Sequence, residues 1–401
     1  MVLKSDIEKS LNEQQRALRL FKPGVERYLL RNFKPHPSHI EVITGVRRSG
    51  KSTFIKQLLL KKYPGAVFFN FEDSRIYGFE VSDFPKLNEL ILPYPGAVFL
   101  DEIQNVSGWE VYVRQLHEHG VKIFVTGSNA SLLSRELGTR LTGRYVRHEV
   151  FPFSYAEFLR FTGKKDTQES FEQYLMHGGF PEYLSSGNPE ILQLLLKDIV
   201  WRDIAVRHQV RSTRILMEMT LYLISNAGKE TTFNSLRKAF GLGSANTVSD
   251  FLHWLEDAYL LFFLPRFSYK PKNIAVNPRK VYVVDNGLAV ANSLSFNEDR
   301  VRLLENLVYL NLRRKFGDLY YFRENKECDF VVMKQKKCLF LIQVCLELNG
   351  DNLHRETRGL KEAMDFFNLK EGYILTLKQN DKIKTENKTI HVTTVRNFFK
   401  D

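Results

Sequence analysis

The residues best equipped for chemistry are Gly45-Val46-Arg47-Arg48-Ser49-Gly50-Lys51-Ser52, a complete G-x-x-x-x-G-K-[ST] phosphate-binding loop. Gly45 and Gly50 let the backbone curl so that amide N–H groups point inward at a helix N-terminus. Lys51 offers a point charge to terminal phosphates, and the Ser52 hydroxyl is a ligand for Mg²⁺. Arg47 and Arg48 lie within the loop and can touch phosphate, and Ser49 and Thr53 complete the candidate nucleotide contacts. A second stretch, Gly96-Ala97-Val98-Phe99-Leu100-Asp101-Glu102-Ile103, reads as a buried strand ending in two acids. Asp101 stands where a carboxylate reaches the Mg²⁺ water shell, and Glu102 where it polarises a water against the outermost phosphate. An isolated Asp-Glu pair is usually a solvated turn. At the end of an apolar strand downstream of a phosphate loop, it points to hydrolysis.

These groups need elements to hold them. An apolar run from Ile40 to Ile43 predicts the strand entering the loop, and residues 52–59 predict the helix leaving it, with Phe54, Ile55, Leu58 and Leu59 on one side. Further strands are expected at 66–71, 97–101, 122–126 and 145–150, alternating with helices. That alternation predicts a parallel sheet covered on both faces, with ligands gathered at the carboxyl ends of its strands. Residues 1–37 read as helix. Helices from about 168 to 208 break at Gly178-Gly179-Phe180-Pro181 and read as a lid.

The chain has 401 residues, of which 43% are hydrophobic and 26% charged, enough for more than one domain. Its net charge of +12 favours a polyanionic partner, nucleic acid before membrane. Cys328, Cys338 and Cys345 form no C-x-x-C pair, which argues against structural zinc and for a reducing compartment. No apolar run is long enough to cross a bilayer and the N-terminus lacks a signal-peptide core, so a cytoplasmic location is expected.

Residues 213–265 carry three short helical faces and then an apolar strand, which suggests a winged helix-turn-helix. Its third helix bears Asp250, Glu256 and Asp257, which repel phosphate, so a packing or oligomer-contact role is expected of this segment ahead of direct DNA reading. The basic side is expected at Arg237, Lys238, Arg266, Lys270, Lys272, Arg279 and Lys280. Beyond about 295, a helix carrying Glu305, three strands, a helix over 352–367 and two more strands make a separate α/β unit.

The loop, the Leu-Asp-Glu strand end, Gly127-Ser128-Asn129 and Gly178-Gly179-Phe180-Pro181 together resemble one family. It is the prokaryotic AAA+ ATPases with a winged helix and a C-terminal domain similar to restriction endonucleases. The resemblance implies an α/β P-loop AAA+ sheet with a helical lid, then the winged helix, then the endonuclease-like α/β domain. The expected divisions are 1–165, 166–212, 213–285 and 286–401. It implies ATP and Mg²⁺ as ligands, Lys51 and Ser52 as the loop's lysine and hydroxyl, and Asp101 and Glu102 as the magnesium-site and catalytic acids. Asn129, or its neighbour Ser128, becomes the polar sensor. ATPases of this type commonly need a cation on the departing phosphate, and Arg140 and Arg144 are the candidates for a finger reaching a neighbouring subunit. A homo-oligomer is therefore expected, with a hexamer as one form.

Endonucleases of the C-terminal type use a helix Glu, a strand Asp and a later Glu-x-Lys, the acids holding Mg²⁺. Glu305 and Asp329 match the first two. Gln343 and Cys345 stand where the last acid and lysine belong, with Glu347, Arg355 and Arg358 as candidate replacements, so Glu305, Asp329 and Gln343 read as a vestigial site, with weak cutting or none expected and a retained fold that binds DNA or braces the oligomer. The reading that follows is an oligomeric ATP-hydrolysing motor or switch on DNA, contacted through phosphates without sequence preference. A nucleotide-gated partner-binding module with slow hydrolysis, and an ATP-regulated nuclease, are the alternatives.

Overall fold

Apolar runs buried on both faces build the central sheet, as a parallel arrangement requires. The computed structural model describes residues 1–92, 96–127, 143–293, 299–385 and 387–399. Contacts divide the chain into two units, Met1–Phe161 with Asp257–Tyr259, and Thr162–Glu256 with Leu260–Asp401.

In the first unit, β1 (Ile40–Thr44), β2 (Val67–Asn70), β3 (Ala97–Asp101), β4 (Lys122–Gly127) and β5 (Tyr145–Glu149) form one parallel sheet in the order β2-β3-β4-β1-β5. One face packs on the helix Lys51–Lys62 through Phe54, Ile55 and Leu58. The other packs against helices Lys4–Arg19, Phe84–Ile91 and Trp109–Glu118. The N-terminal helix is shorter than expected. It stops at Arg19, and only Tyr28–Asn32 resumes, because Pro23 and Gly24, at φ 61°, break the run. Its Gln14 and Gln15 side chains donate to the Asn70 and Phe68 carbonyls of β2 at 3.2 and 2.6 Å, which seats the helix on the sheet.

The apolar run of β1 conceals one acid. Glu41 is fully buried, with Lys122 Nζ and His148 Nε2 each 2.7 Å from its carboxylate, one from each flanking strand.

The second unit begins with helices Gln168–His177, Pro181–Ser186 and Glu190–Asp198, the last running on as a π-helix over Ile199–Val206. The expected break at Gly178-Gly179 is present and fastened. Gly179 N donates to Asp285 Oδ2 at 2.7 Å, and a Cβ on Gly178 would fall 2.1 Å from Asp285 Oδ1.

Then follow Thr213–Ser225, β6 (Glu230–Thr231), Phe233–Ala239, Ala245–Asp257, β7 (Leu261–Pro265), a short helix Pro271–Val276 and β8 (Arg279–Val283). The three strands make an antiparallel sheet in the order β6-β8-β7. Glu256 is not presented to solvent as a reading-helix acid. It turns inward and accepts a hydrogen bond from Phe263 N.

Helix Arg300–Lys315 leads into a six-stranded mixed sheet, ordered β13-β14-β12-β11-β10-β9. Its strands are β9 (Asp318–Arg323), β10 (Glu327–Lys334), β11 (Lys337–Val344), β12 (Glu371–Thr376), β13 (Asp381–Thr385) and β14 (Lys388–Thr394). Helix Leu353–Phe366 covers one face through Leu360, Ala363 and Met364. Strand β13 was not expected, since its Lys-Ile-Lys sequence carries one apolar residue. No helix among the described residues is long and apolar enough to cross a membrane.

Candidate nucleotide site

Sheet register brings the chemistry to one edge. Thr44 pairs with Gly127 and Asn70 with Asp101, so the residues following β1, β3 and β4 emerge together at the carboxyl ends. Gly45 opens the loop at φ 144°, and a Cβ there would lie 2.1 Å from the Val150 carbonyl oxygen. Gly50, at φ 93° in the left-handed region, immediately precedes the helix that begins at Lys51. The Lys51 ammonium is buried and donates to the Gly45 and Val46 carbonyls at 3.1 Å each, holding the loop in a closed arch. Arg47 faces Glu72 at 4.0 Å, Arg48 takes φ 60°, and Thr53 is half-buried.

Ser52 hydrogen-bonds the Asp101 carboxylate, and Thr126 Oγ1 donates to Asp101 Oδ1. Burial, with Glu102 next to it, pushes the Asp101 carboxyl up to about 6, while Thr126 and Ser52 act in the opposite sense. Glu102 adopts φ 52° and directs its N–H to Thr126 Oγ1 at 3.1 Å; its carboxylate accepts from Gln104 Nε2. A left-handed non-glycine residue stores strain and persists only where its surroundings enforce it. Thr126 therefore links both acids, a role the sequence did not reveal. Its only signal was a hydroxyl residue near the end of an otherwise apolar strand.

The loop is braced from behind by a residue no motif contains. Arg27 is buried and donates to Glu157 Oε1 at 2.8 Å, the Ser49 carbonyl at 2.5 Å and the Phe151 carbonyl at 2.6 Å. Its guanidinium also stacks over Phe153 at 5.1 Å. Burial raises the Glu157 carboxyl, but Arg27 and the N–H groups of Ser154 and Tyr28 outweigh it and hold the group below its usual range. A Cβ on Gly50 would sit 2.6 Å from Arg27 Nη1, so glycine is required there twice over.

Asn129, Ser128 and Arg140 lie outside the described residues. Arg144 is exposed, and its carbonyl accepts from Ile40 N at 3.0 Å.

Residues 37–159 match a family model described as an AAA domain, and residues 168–299 match a domain of unknown function, DUF8612. An uncharacterised protein of Methanocaldococcus jannaschii is 34% identical over 373 residues, spanning 86% of this chain and 83% of its own. The chain belongs to the AAA-domain family. An uncharacterised Haemophilus influenzae protein is 33% identical over 350 residues, 81% of this chain and 86% of that one. Among solved structures, the Aeropyrum pernix ORC1 protein in complex with DNA is 14% identical, covering 72% of this chain and 92% of that one with a TM-score of 0.30.

AAA-domain membership implies nucleotide binding, typically with Mg²⁺. The residues present fit both. Ser49 Oγ is fully buried with no hydrogen-bond partner, a donor ready for an anion. The oxygens of Ser52 and Asp101 lie within hydrogen-bonding distance of each other, a hard oxygen pair suited to Mg²⁺.

In the second unit, Glu305 Oε1 and Asp329 Oδ1 come together, but on an ammonium. Lys280 Nζ lies 3.0 and 2.9 Å from them. This corrects the expectation that Lys280 is part of an exposed basic side, since it is 2% exposed. Gln343 does not stand free for a metal either. Its Oε1 accepts from Asp329 N at 3.3 Å and its Nε2 donates to Glu356 at 2.9 Å. The candidate replacements lie elsewhere. Glu347 is exposed beyond the end of β11, Arg355 pairs with Glu356, and Cys345 is buried in the apolar core.

Proposed function

We propose that this AAA-domain protein hydrolyses ATP, and that it works as an oligomeric motor or switch on DNA. The observation that carries the hydrolase reading is the convergence of Lys51, Ser52, Asp101 and Glu102 at one sheet edge, with Ser52 bonded to Asp101 and Thr126 linking both acids. Lys51 and the loop amides would bind the phosphates, and Ser49 Oγ would add a donor. Ser52 and Asp101 would hold Mg²⁺, which when bound supplies charge neutralisation to the phosphate oxygens. Glu102 would orient and deprotonate the attacking water. Exposure of Arg144 supports its role as a finger acting on a neighbouring subunit.

The DNA reading rests on net charge and on exposed Lys238, Lys270 and Lys272 around the helix-strand-helix-helix-strand-helix-strand segment, whose three helices and small antiparallel sheet support a winged helix with a short helix, Pro271–Val276, inserted between its last two strands. The hydrogen bond from Gln104 to Glu102 favours a second reading, a nucleotide-gated partner-binding module that turns over slowly until Glu102 is released. Measuring ATP turnover alone and with single-stranded, duplex and branched DNA separates them. DNA-stimulated turnover supports the first reading, and tight binding without turnover supports the second. The six-stranded sheet, with Asp329 on its strand β10 and Glu305 on the preceding helix brought together at Lys280, supports an endonuclease-like shape for the C-terminal part.

A further inference from the structure

Lys280 sits on β8, the central strand of its sheet, paired with Glu230 on one side and Leu264 on the other, so its backbone is fixed. The side chain runs inward past the Tyr321 ring, 5.8 Å from its centre. Its ammonium lies 3.0 Å from Glu305 Oε1, 2.9 Å from Asp329 Oδ1 and 2.7 Å from Glu327 Oε1. The surrounding acceptors are also occupied. Tyr282 OH donates to Glu305 Oε1 at 2.7 Å, and Val344 N donates to Asp329 Oδ2 at 2.9 Å.

An endonuclease of this shape would place a divalent cation on these acids. The residues do not fit one. Mg²⁺ needs several oxygens at about 2.1 Å, and the ammonium occupies the space between the two carboxylates. Two cations a few ångströms apart in a buried site repel strongly, so both cannot be held.

We infer that Lys280 is an internal cation standing where a metal would stand, and that it converts the acid cluster into a structural clasp. The clasp joins β8, helix Arg300–Lys315 and β10, and the site neither binds a divalent metal nor cuts nucleic acid. This rests on the endonuclease-like reading of the C-terminal part. Three carboxylates face one ammonium, so removal of the ammonium leaves an excess of negative charge with oxygens already converging. A cation is then recruited.

The test is Mn²⁺ binding to the full-length protein without nucleotide, followed by electron paramagnetic resonance, in wild type, Lys280→Met, Asp329→Asn and the double variant. Wild type and Asp329→Asn should bind Mn²⁺ alike. Lys280→Met should bind at least tenfold more tightly, and adding Asp329→Asn should remove the gain. Binding by wild type that Asp329→Asn abolishes, or cutting of DNA that Asp329→Asn abolishes, overturns the lysine's role and upholds the endonuclease-like reading. A folded Lys280→Met that gains no Mn²⁺ overturns both. If Lys280→Met fails to fold, comparison of wild type with Asp329→Asn still decides, because any Asp329-dependent Mn²⁺ in wild type refutes the proposal and its absence supports it.

Discussion

Arg27 is the perturbation that most directly probes how the phosphate loop is held. Replacing it with alanine removes one partner of a buried pair whose side chains are only 6% and 4% exposed. Leaving a buried charge uncompensated costs about 3–5 kcal/mol. Glu157 keeps hydrogen bonds from Ser154 N and Tyr28 N, both at 2.7 Å, which argues for the low end. The Ser49 and Phe151 carbonyls each lose a donor, at roughly 1 kcal/mol apiece. The sum is about 5 kcal/mol, a large share of the ~5–15 kcal/mol that stabilises a typical domain. At about 2–4 °C per kcal/mol for a unit of this size, melting should fall by ~10–20 °C. Nucleotide affinity should fall at least tenfold, because the loop loses its brace at Ser49. Glu157→Gln leaves the Arg27 charge unpaired but keeps the guanidinium on both carbonyls, and should cost about 3 kcal/mol. The assays are calorimetric melting and titration with a fluorescent ATP analogue. An Arg27→Ala protein that melts within 2 °C of wild type and binds nucleotide equally well would refute the brace.

Lys51→Ala should abolish nucleotide binding, whereas Glu102→Gln should bind normally and lose turnover, since only the latter residue acts on the attacking water; unchanged turnover in Glu102→Gln removes its role. Arg144→Ala should bind ATP yet turn over poorly, and mixing it with Glu102→Gln should restore part of the activity; no restoration, with a monomer by sedimentation in the presence of a non-hydrolysable analogue, excludes a finger in trans. DNA affinity should fall steeply with salt and vary little with sequence, and filter binding that finds one preferred duplex at physiological salt would contradict this. Burial raises the Asp285 carboxyl to about 6, so the folded state holds that proton more tightly than the unfolded state. Its contribution is present below about pH 4 and is lost as pH rises through 6, a change of about 3 kcal/mol. Urea unfolding should lose about 3 kcal/mol less stability over that pH range in Asp285→Asn than in wild type, and parallel curves would rule it out.

The parallel sheet and its loop were legible because a strand buried on both faces is written as a continuous apolar run. Glu41 was hidden by that same logic, since Lys122 and His148, which make its burial tolerable, belong to strands far along the chain. Arg27 was illegible for a related reason. Its partners Ser49, Phe151 and Glu157 share no spacing with it, and a lone arginine after a proline and a glycine looks like surface. Lys280 was misread because charge counts carry a sign but no direction. On β8 the side chain turns toward Glu305 and Asp329 rather than outward. Asp101 and Glu102 share a strand end, and Glu305 and Asp329 share one ammonium, as motif position alone suggested; it constrains residues that lie together far better than it constrains those that support them.

The place of β1 has a consequence for synthesis. The strand that carries the loop emerges early, yet both its sheet neighbours, β4 and β5, and the Glu157 that fixes Arg27 lie far downstream. At ~5–20 residues per second, a ribosome needs on the order of ten seconds to travel from residue 40 to residue 157. Through that interval the nascent segment has an anion-binding sequence but no scaffold to shape it. Nucleotide therefore cannot template the start of folding and can only select the finished unit, and a chain stalled before residue 157 should fail to retain ATP.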